Sequence, residues 1–364
     1  MARQPQLYFD NNATAPLRPE AIAAMQAMMG PPANPSSVHG YGRAARMAVE
    51  QARADVAMLA GCRSADIVFA SGGTEANNLA LSVFDHVITS AVEHDSVRRA
   101  ASDATVIGVD SNGLIDLSHL GQVLGDLPDD RRQRTLVSVM YANNETGVIQ
   151  PIDEVVRLAR DAGVAVHSDM VQMLGKQHLD FAASGLDYAS LSAHKIGGPT
   201  GVGALLVRPG LRMTSLLSGG GQEQGRRSGT ENVLGIVGFG AAAKAALDDV
   251  AHFHAMAAWR DRLEMRLIKG RNDVRLFGAG VSRIGNTSCL ALNEKSAETL
   301  VMAFDLAGAA ISAGSACSSG KVHESHVLKA MNAGEDASRA IRISGGWNTR
   351  ESDFERLAEL VLGL

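Results

Sequence analysis

The sequence predicts an α/β protein with a mainly parallel seven-stranded sheet, joined to a smaller α+β domain. Three observations predict it. Short apolar runs alternate with helical patterns through the long middle of the chain, as in a βαβ series. The texture changes near Val250, where a charged, helix-like stretch, Ala251–Lys269, leads into mixed strands and helices. The chain has 364 residues, and a single core stops growing by roughly 250–300. The expected division is 16–250 for the large domain, and 1–15 with 251–364 for the small one.

Strands of the large sheet are predicted at Asp66–Ala70, His86–Ser90, Thr105–Val109, Thr135–Tyr141, Val164–Asp169, Tyr188–Ser192 and Val202–Val207. Helices are predicted between them at Glu75–Leu81, Val92–Ala101 and Asp153–Ala162. The small domain should hold strands near Thr287–Leu292, Ala310–Ser312 and Ala340–Ser344, and helices at Ala297–Ala307, Val322–Met331 and Arg350–Leu362. No repeat or low-complexity tract interrupts the pattern.

Composition narrows the function classes. Apolar residues make up 46%, charged residues 20%, and net charge is −5, so neither nucleic acid nor an anionic membrane is implied as a partner. No apolar run approaches the ~18 residues of a membrane span. The opening Met1-Ala2-Arg3-Gln4-Pro5-Gln6 lacks the apolar stretch of a secretory signal. Cys62, Cys289 and Cys317 are odd in number, far apart and without metal-ligand spacing. A cytoplasmic setting and no resident metal are expected.

The chemistry-bearing residues fall at predicted strand ends, where open parallel sheets bind ligands. Lys195 closes Ser192-Ala193-His194-Lys195 just before Ile196-Gly197-Gly198-Pro199, and Asp169 and Gln172 follow the run Val164–Ser168. A Schiff-base lysine with an upstream Asp to keep a pyridine nitrogen protonated is what pyridoxal phosphate chemistry needs. Asp169 also reads as a strand-end helix cap. Ser71-Gly72-Gly73-Thr74-Glu75 follows a strand and opens a helix, a place for a phosphate. Alone it also reads as a plain turn with Thr74 as N-cap. His94, in Val92-Glu93-His94-Asp95-Ser96, sits where an imidazole can stack on an aromatic cofactor and move protons, although an isolated His is more often structural. Cys317 lies among small polar residues, Ala313-Gly314-Ser315-Ala316-Cys317-Ser318-Ser319-Gly320. That setting suits an exposed, reactive thiol and equally a chance cysteine in a loop. Arg342 could clamp a carboxylate or simply face water from a strand edge.

Taken together these motifs closely resemble the cysteine desulfurases of the nitrogen-fixation and iron–sulfur assembly branch, within the class V aminotransferase group. The likeness runs nearly end to end. It includes Tyr8-Phe9-Asp10-Asn11-Asn12-Ala13-Thr14, Asn34-Pro35-Ser36-Ser37-Val38-His39, Ala142-Asn143-Asn144-Glu145-Thr146-Gly147, Arg227-Ser228-Gly229-Thr230-Glu231-Asn232 and the Cys317 loop. The resemblance implies the pyridoxal-phosphate-dependent transferase fold of type I and a homodimer. It implies that Lys195 holds pyridoxal 5′-phosphate, Asp169 the ring nitrogen and Gln172 the phenolic oxygen. Gly73, Thr74, Ser192 and His194 would hold the phosphate, and Thr230 the phosphate of the partner subunit. Asn34, Asn144 and Arg342 would hold substrate carboxylate or cofactor edge. His94 would stack on the ring and help to deprotonate the substrate thiol. Cys317 would accept sulfur as a persulfide, leaving L-alanine from L-cysteine, and could transiently ligate an iron–sulfur cluster. A sulfur-acceptor or iron–sulfur scaffold protein is the implied partner.

The chain departs from the pattern at Met170, beside the cofactor Asp, at Thr200 after Gly-Gly-Pro, at Gly345-Gly346-Trp347 and in a short Leu81–His86 connection. The alternatives are a selenocysteine lyase or aminotransferase of the same fold, or an inactive sulfur-relay or scaffold-binding protein. The cysteine loop argues against the first, and the complete set Lys195, Asp169, His94 and Cys317 against the last.

Overall fold

In the computed structural model, residues 6–211, 213–292, 295–314 and 324–363 are described. The strands in chain order are β1 Leu7–Tyr8, β2 Ile67–Ala70, β3 His86–Ser90, β4 Thr105–Ile107, β5 Thr135–Ser138, β6 Ala165–Asp169, β7 Tyr188–Ser192 and β8 Gly203–Val207. They continue with β9 Val274–Phe277, β10 Thr287–Leu292, β11 Ala309–Ala310, β12 Ser312–Ala313 and β13 Ala340–Ser344.

Seven strands form one sheet in the order β2-β8-β7-β6-β5-β3-β4. Strands β7, β6, β5, β3 and β4 run parallel, while β8 is antiparallel to both β7 and β2. Near-continuous apolar runs such as Ile67-Val68-Phe69-Ala70 suit a sheet covered on both faces. One face packs Val49, Val56 and Leu59 of the helix Gly40–Ala60 and Phe239 of the helix Val233–Ala246 into the larger core. The other face packs Ala76 and Leu79 of the helix Gly73–Leu81 against Val68, Leu136 and Leu205. All parallel strands therefore end on one edge, and β6 and β7 carry Asp169 and Ser192 to it.

A second, antiparallel sheet, β12-β13-β10-β9, has its own core around Leu290, Ile341, Ile343 and Phe354. The N-terminal segment joins this second body: β1 pairs with β11, and Phe9 stacks edge-on with Phe354 at 4.9 Å. The long helix Val250–Gly270 begins where the texture changes in the sequence.

The expected helix Val92–Ala101 is only Asp95–Arg98, because His94 caps it and Val92 is tied by its carbonyl to the Asn143 side chain. The expected strand Ala310–Ser312 is instead two short strands in different sheets. The helix Gly40–Ala60, rich in Ala, Arg and Met, and the edge strand β9 were not expected.

Candidate active site

Asp169 ends β6 and is buried. Its Oδ2 accepts from Asn77 Nδ2 at 2.8 Å and its Oδ1 from the Val171 N–H at 3.0 Å. It is thus a strand-end carboxylate tied to a neighbouring helix; a turn and no helix follows it, so it is not a helix cap. Asn77 Nδ2 also donates to Ser96 Oγ at 2.8 Å, and Ser96 Oγ meets His94 Nδ1 at 2.8 Å. One chain of contacts therefore links His94 and Asp169, the groups expected to stack on a cofactor ring and to hold its nitrogen.

Lys195 follows β7 in a short 3-10 turn, Ala193–Lys195. Its Nζ donates to the carbonyls of Asn12 at 2.5 Å and Ala13 at 2.8 Å. Burial and then the Arg342 guanidinium push its pKa down to about 8, against the pull of Asp169 and Asp10. A lysine so placed is part-neutral near physiological pH, as an imine-forming amine must be.

Asn12 is the hub on this side. Its carbonyl also accepts from Gln172 Nε2 at 3.0 Å, and its Nδ2 donates to the Asn144 carbonyl at 3.1 Å. A second lysine, Lys176, is buried beside it and donates to Gln172 Oε1 at 2.8 Å and Asn12 Oδ1 at 3.2 Å. Burial, Lys195 and Arg342 hold the Lys176 pKa well below the ordinary lysine value. With its oxygen committed to Lys176 and one amide hydrogen to the Asn12 carbonyl, Gln172 keeps a second amide hydrogen to donate. That suits the expected bond to a phenolate oxygen.

The segment after β2 makes the anion cradle. The helix begins at Gly73, with Gly72 as N-cap and no side-chain cap, so Thr74 lies inside the first turn and is not the cap. The first-turn N–H groups are therefore available to an anion. Glycine is needed for close approach: a Cβ on Gly73 would lie 2.8 Å from Val171 Cγ2, and one on Gly203 2.7 Å from the Gly72 backbone. His194, whose pKa falls to about 4 through burial and Lys195, contacts Thr14 Oγ1 at 3.3 Å as a neutral ring. The uncapped helix start, the depressed amine and the buried carboxylate fit a phosphate-bearing pyridine aldehyde.

Arg342 reaches the same place from β13, buried, so it does not face water from a strand edge. Its Nη1 donates to the Asn144 carbonyl at 3.1 Å and its Nη2 to Asp10 Oδ1 at 2.7 Å, while its Nε is buried without a partner among the described residues. Asn144 thus enters through its carbonyl. Met170 is buried in the large core and does not crowd the site. Gly346 is required because a Cβ there would lie 2.0 Å from Asn11 Oδ1, and Trp347 donates to the Pro16 carbonyl at 2.9 Å.

Not every expected residue gathers here. Asn34 is exposed and bonds only locally, its Oδ1 accepting from the Ser36 N–H at 3.0 Å. Thr230 is exposed, three residues after Arg227, whose Nε pairs with Glu75 Oε1 at 2.9 Å. Cys317 lies outside the described residues. Four residues went unrecognised in the sequence as members of the site: Asn12, Asn77, Ser96 and Lys176. Their signal was weak, since each is polar but buried only because of distant partners.

Within the fold and site so described, the chain belongs to the class V aminotransferase family, whose model matches residues 7–357. Over 98% of its length it is 38% identical to cysteine desulfurase 2 of Trichormus variabilis, of which it covers 92%. The solved NifS-like protein from Rickettsia africae superposes with a TM-score of 0.91 at 35% identity, covering 98% of each chain. SspA, solved in complex with cysteine, gives a TM-score of 0.78 at 30% identity over 93% of this chain and 98% of its own. The type I fold expected from the sequence is the one observed.

Proposed function

We propose that this protein is a pyridoxal-phosphate-dependent cysteine desulfurase that moves the sulfur of L-cysteine onto Cys317 and releases L-alanine. The observation that carries the reading is the pair Lys195 and Asp169 at neighbouring strand ends, one amine depressed to about 8 and one buried carboxylate. The relatives named cysteine desulfurase and the neighbour solved with cysteine choose the substrate.

Lys195 would hold the cofactor covalently, Asp169 its ring nitrogen, Gln172 its phenolic oxygen, and Gly73, Thr74, Ser192 and His194 its phosphate. Thr230 would complete the phosphate site of a second subunit in a homodimer. When bound, the cofactor supplies an electron sink for a carbanion at the substrate Cα. Lys195 would also be the base placed to take the substrate Cα proton. Asp169 keeps the ring nitrogen charged, and a buried acceptor-only group suits that task. Arg342, whose Nε has no partner among the described residues, would hold the substrate carboxylate, with Asn144 beside it; Asn34, exposed and bonded only locally, would join only as the resemblance implies. His94 manages protons at the substrate. Cys317 Sγ attacks the substrate sulfur, so an S–S bond forms while the Cβ–S bond breaks and its electrons and one proton stay with alanine. No outside oxidant is needed.

Elimination supports Cys317. Burial pushes the Cys62 thiol up to about 12 and the Cys289 thiol higher still, so both remain protonated. The sulfur would then pass to an acceptor or iron–sulfur scaffold protein. No described helix is long and apolar enough to cross a membrane, and a cytoplasmic enzyme fits this role.

The test is L-cysteine turnover with alanine measured, in wild type and Cys317→Ser. Wild type trapped with an alkylating agent should carry one extra sulfur on the Cys317 peptide, and Cys317→Ser should nearly cease to release alanine. Extra sulfur on Cys62 or Cys289, or normal release by the variant, would overturn the reading.

A further inference from the structure

The polarity of every hydrogen bond between Asp169 and His94 can be read from one end. An ionised carboxylate only accepts, so the Asn77 amide must face Asp169 Oδ2 with nitrogen and not oxygen. The same nitrogen gives its other hydrogen to Ser96 Oγ at 2.8 Å. Ser96 Oγ therefore accepts from Asn77 and keeps its own hydrogen to give. It lies 2.8 Å from His94 Nδ1, and the Ser96 backbone N–H points at the same nitrogen from 3.1 Å. Two donors converge on Nδ1, which leaves no room for a proton there. His94 is also the N-cap of the helix Asp95–Arg98, a role that requires a bare acceptor nitrogen.

We propose that Ser96 and Asn77 are positioning residues that lock the neutral His94 ring as its Nε2–H tautomer and tie it to Asp169. Nε2 has no partner among the described residues and is the nitrogen left for a ligand. The neutral ring thus presents a hydrogen to the substrate. The functional consequence rests on the desulfurase reading; the tautomer does not.

The neighbouring charges have other commitments. Asp95 pairs with Arg98 at 3.2 Å and with Arg99 at 2.7 Å. His326 Nε2 bonds the Glu93 carbonyl at 2.9 Å, and Glu93 Oε1 accepts from the Met140 N–H at 2.7 Å. Among the described hydrogen bonds, none of these groups reaches Nδ1.

The test is 15N NMR of the cofactor-loaded, histidine-labelled protein above the pH where the ring is neutral, with His94→Gln assigning the signal. Wild type should show a bare Nδ1 and a protonated Nε2. Ser96→Ala and Asn77→Ala should move the signal toward a tautomer mixture. Ser96→Ala should also lower kcat by roughly tenfold with KM little changed, the scale of one lost hydrogen bond, and Ser96→Thr should restore both. A protonated Nδ1 in wild type, or a signal unmoved in both alanine variants, overturns the proposal. L-cysteine turnover is scored separately. A locked tautomer in a protein that releases no alanine would sustain this inference while removing the desulfurase reading.

Discussion

The two walls of the site handle buried polarity in opposite ways. The wall made by the helix Gly73–Leu81 and the turn to Ser96 surrounds the Asp169 carboxylate, which is satisfied by neutral donors from Asn77 and Val171. The wall made by residues 10–14, 172–176 and Lys195 gathers Lys195, Lys176 and Arg342 against carbonyl and amide oxygens and the single carboxylate of Asp10. Burial first, and then the crowding of its basic groups, pushes both lysines down. On the proposed reading, a pyridine cofactor would turn its basic nitrogen toward Asp169 and its phenolic oxygen toward the basic wall. Polarisation across the site would then direct electrons toward the Asp169 side.

Removing the basic wall's nucleophile should have the largest effect. Lys195→Ala should lose the visible absorption of the covalently held cofactor and slow turnover on the order of 10⁴-fold or more. The cofactor should still be retained in part through its phosphate. An intact band with intact activity would place the covalent link on another residue.

The acidic wall comes next. Asp169→Asn keeps the shape and removes the charge. Turnover should fall by about two to four orders of magnitude while the cofactor still binds. A near-normal rate would mean that the polarisation described above is not what drives the chemistry.

Much of this contrast was legible in the sequence, and the reason is local. Lys195, Gln172 and His94 follow, and Asp169 ends, short apolar runs that read as strands, so their place on the sheet edge follows from chain order. The seven-strand sheet was legible for the same reason. What was not legible depended on partners far along the chain. Lys176 looks like a surface lysine until Asn12, 164 residues earlier, closes over it. Ser96 and Asn77 carry no pattern of their own and meet only because the short helix Asp95–Arg98 lies against the helix Gly73–Leu81. The helix at Val92–Ala101 was overextended because propensity does not register the competing bond from Asn143 to the Val92 carbonyl.

A subtler measurement sharpens the contrast through pH. With its pKa near 8, Lys195 should attack aldehydes well below the pH that an ordinary lysine needs. The rate at which the cofactor-free chain captures pyridoxal phosphate, trapped by borohydride and mapped to Lys195, should climb through pH about 8 and then level off. A climb centred near the ordinary value of about 10.4 would show that the basic wall does not depress its amine.

The smallest expected effect concerns Lys176, which the polarised arrangement keeps at a cost to stability. Its pKa is held well below the ordinary value by burial first, then by Lys195 and Arg342. Below about 10.4 the unfolded chain binds a proton at this position that the folded chain does not, which favours unfolding. The penalty is absent above that pH and grows as pH falls, until the folded pKa is reached. Lys176→Met removes it, while losing the bond to Gln172 Oε1 at every pH alike. The melting temperature of the variant minus that of wild type, followed from pH 7 to 10 without cofactor, should be most positive at pH 7 and decline toward pH 10. The same variant should hold the cofactor a few-fold less tightly, since Gln172 is no longer fixed as a donor. Parallel melting curves would show that Lys176 keeps its charge in the folded protein. The crowding of the basic wall would then be screened by something other than deprotonation.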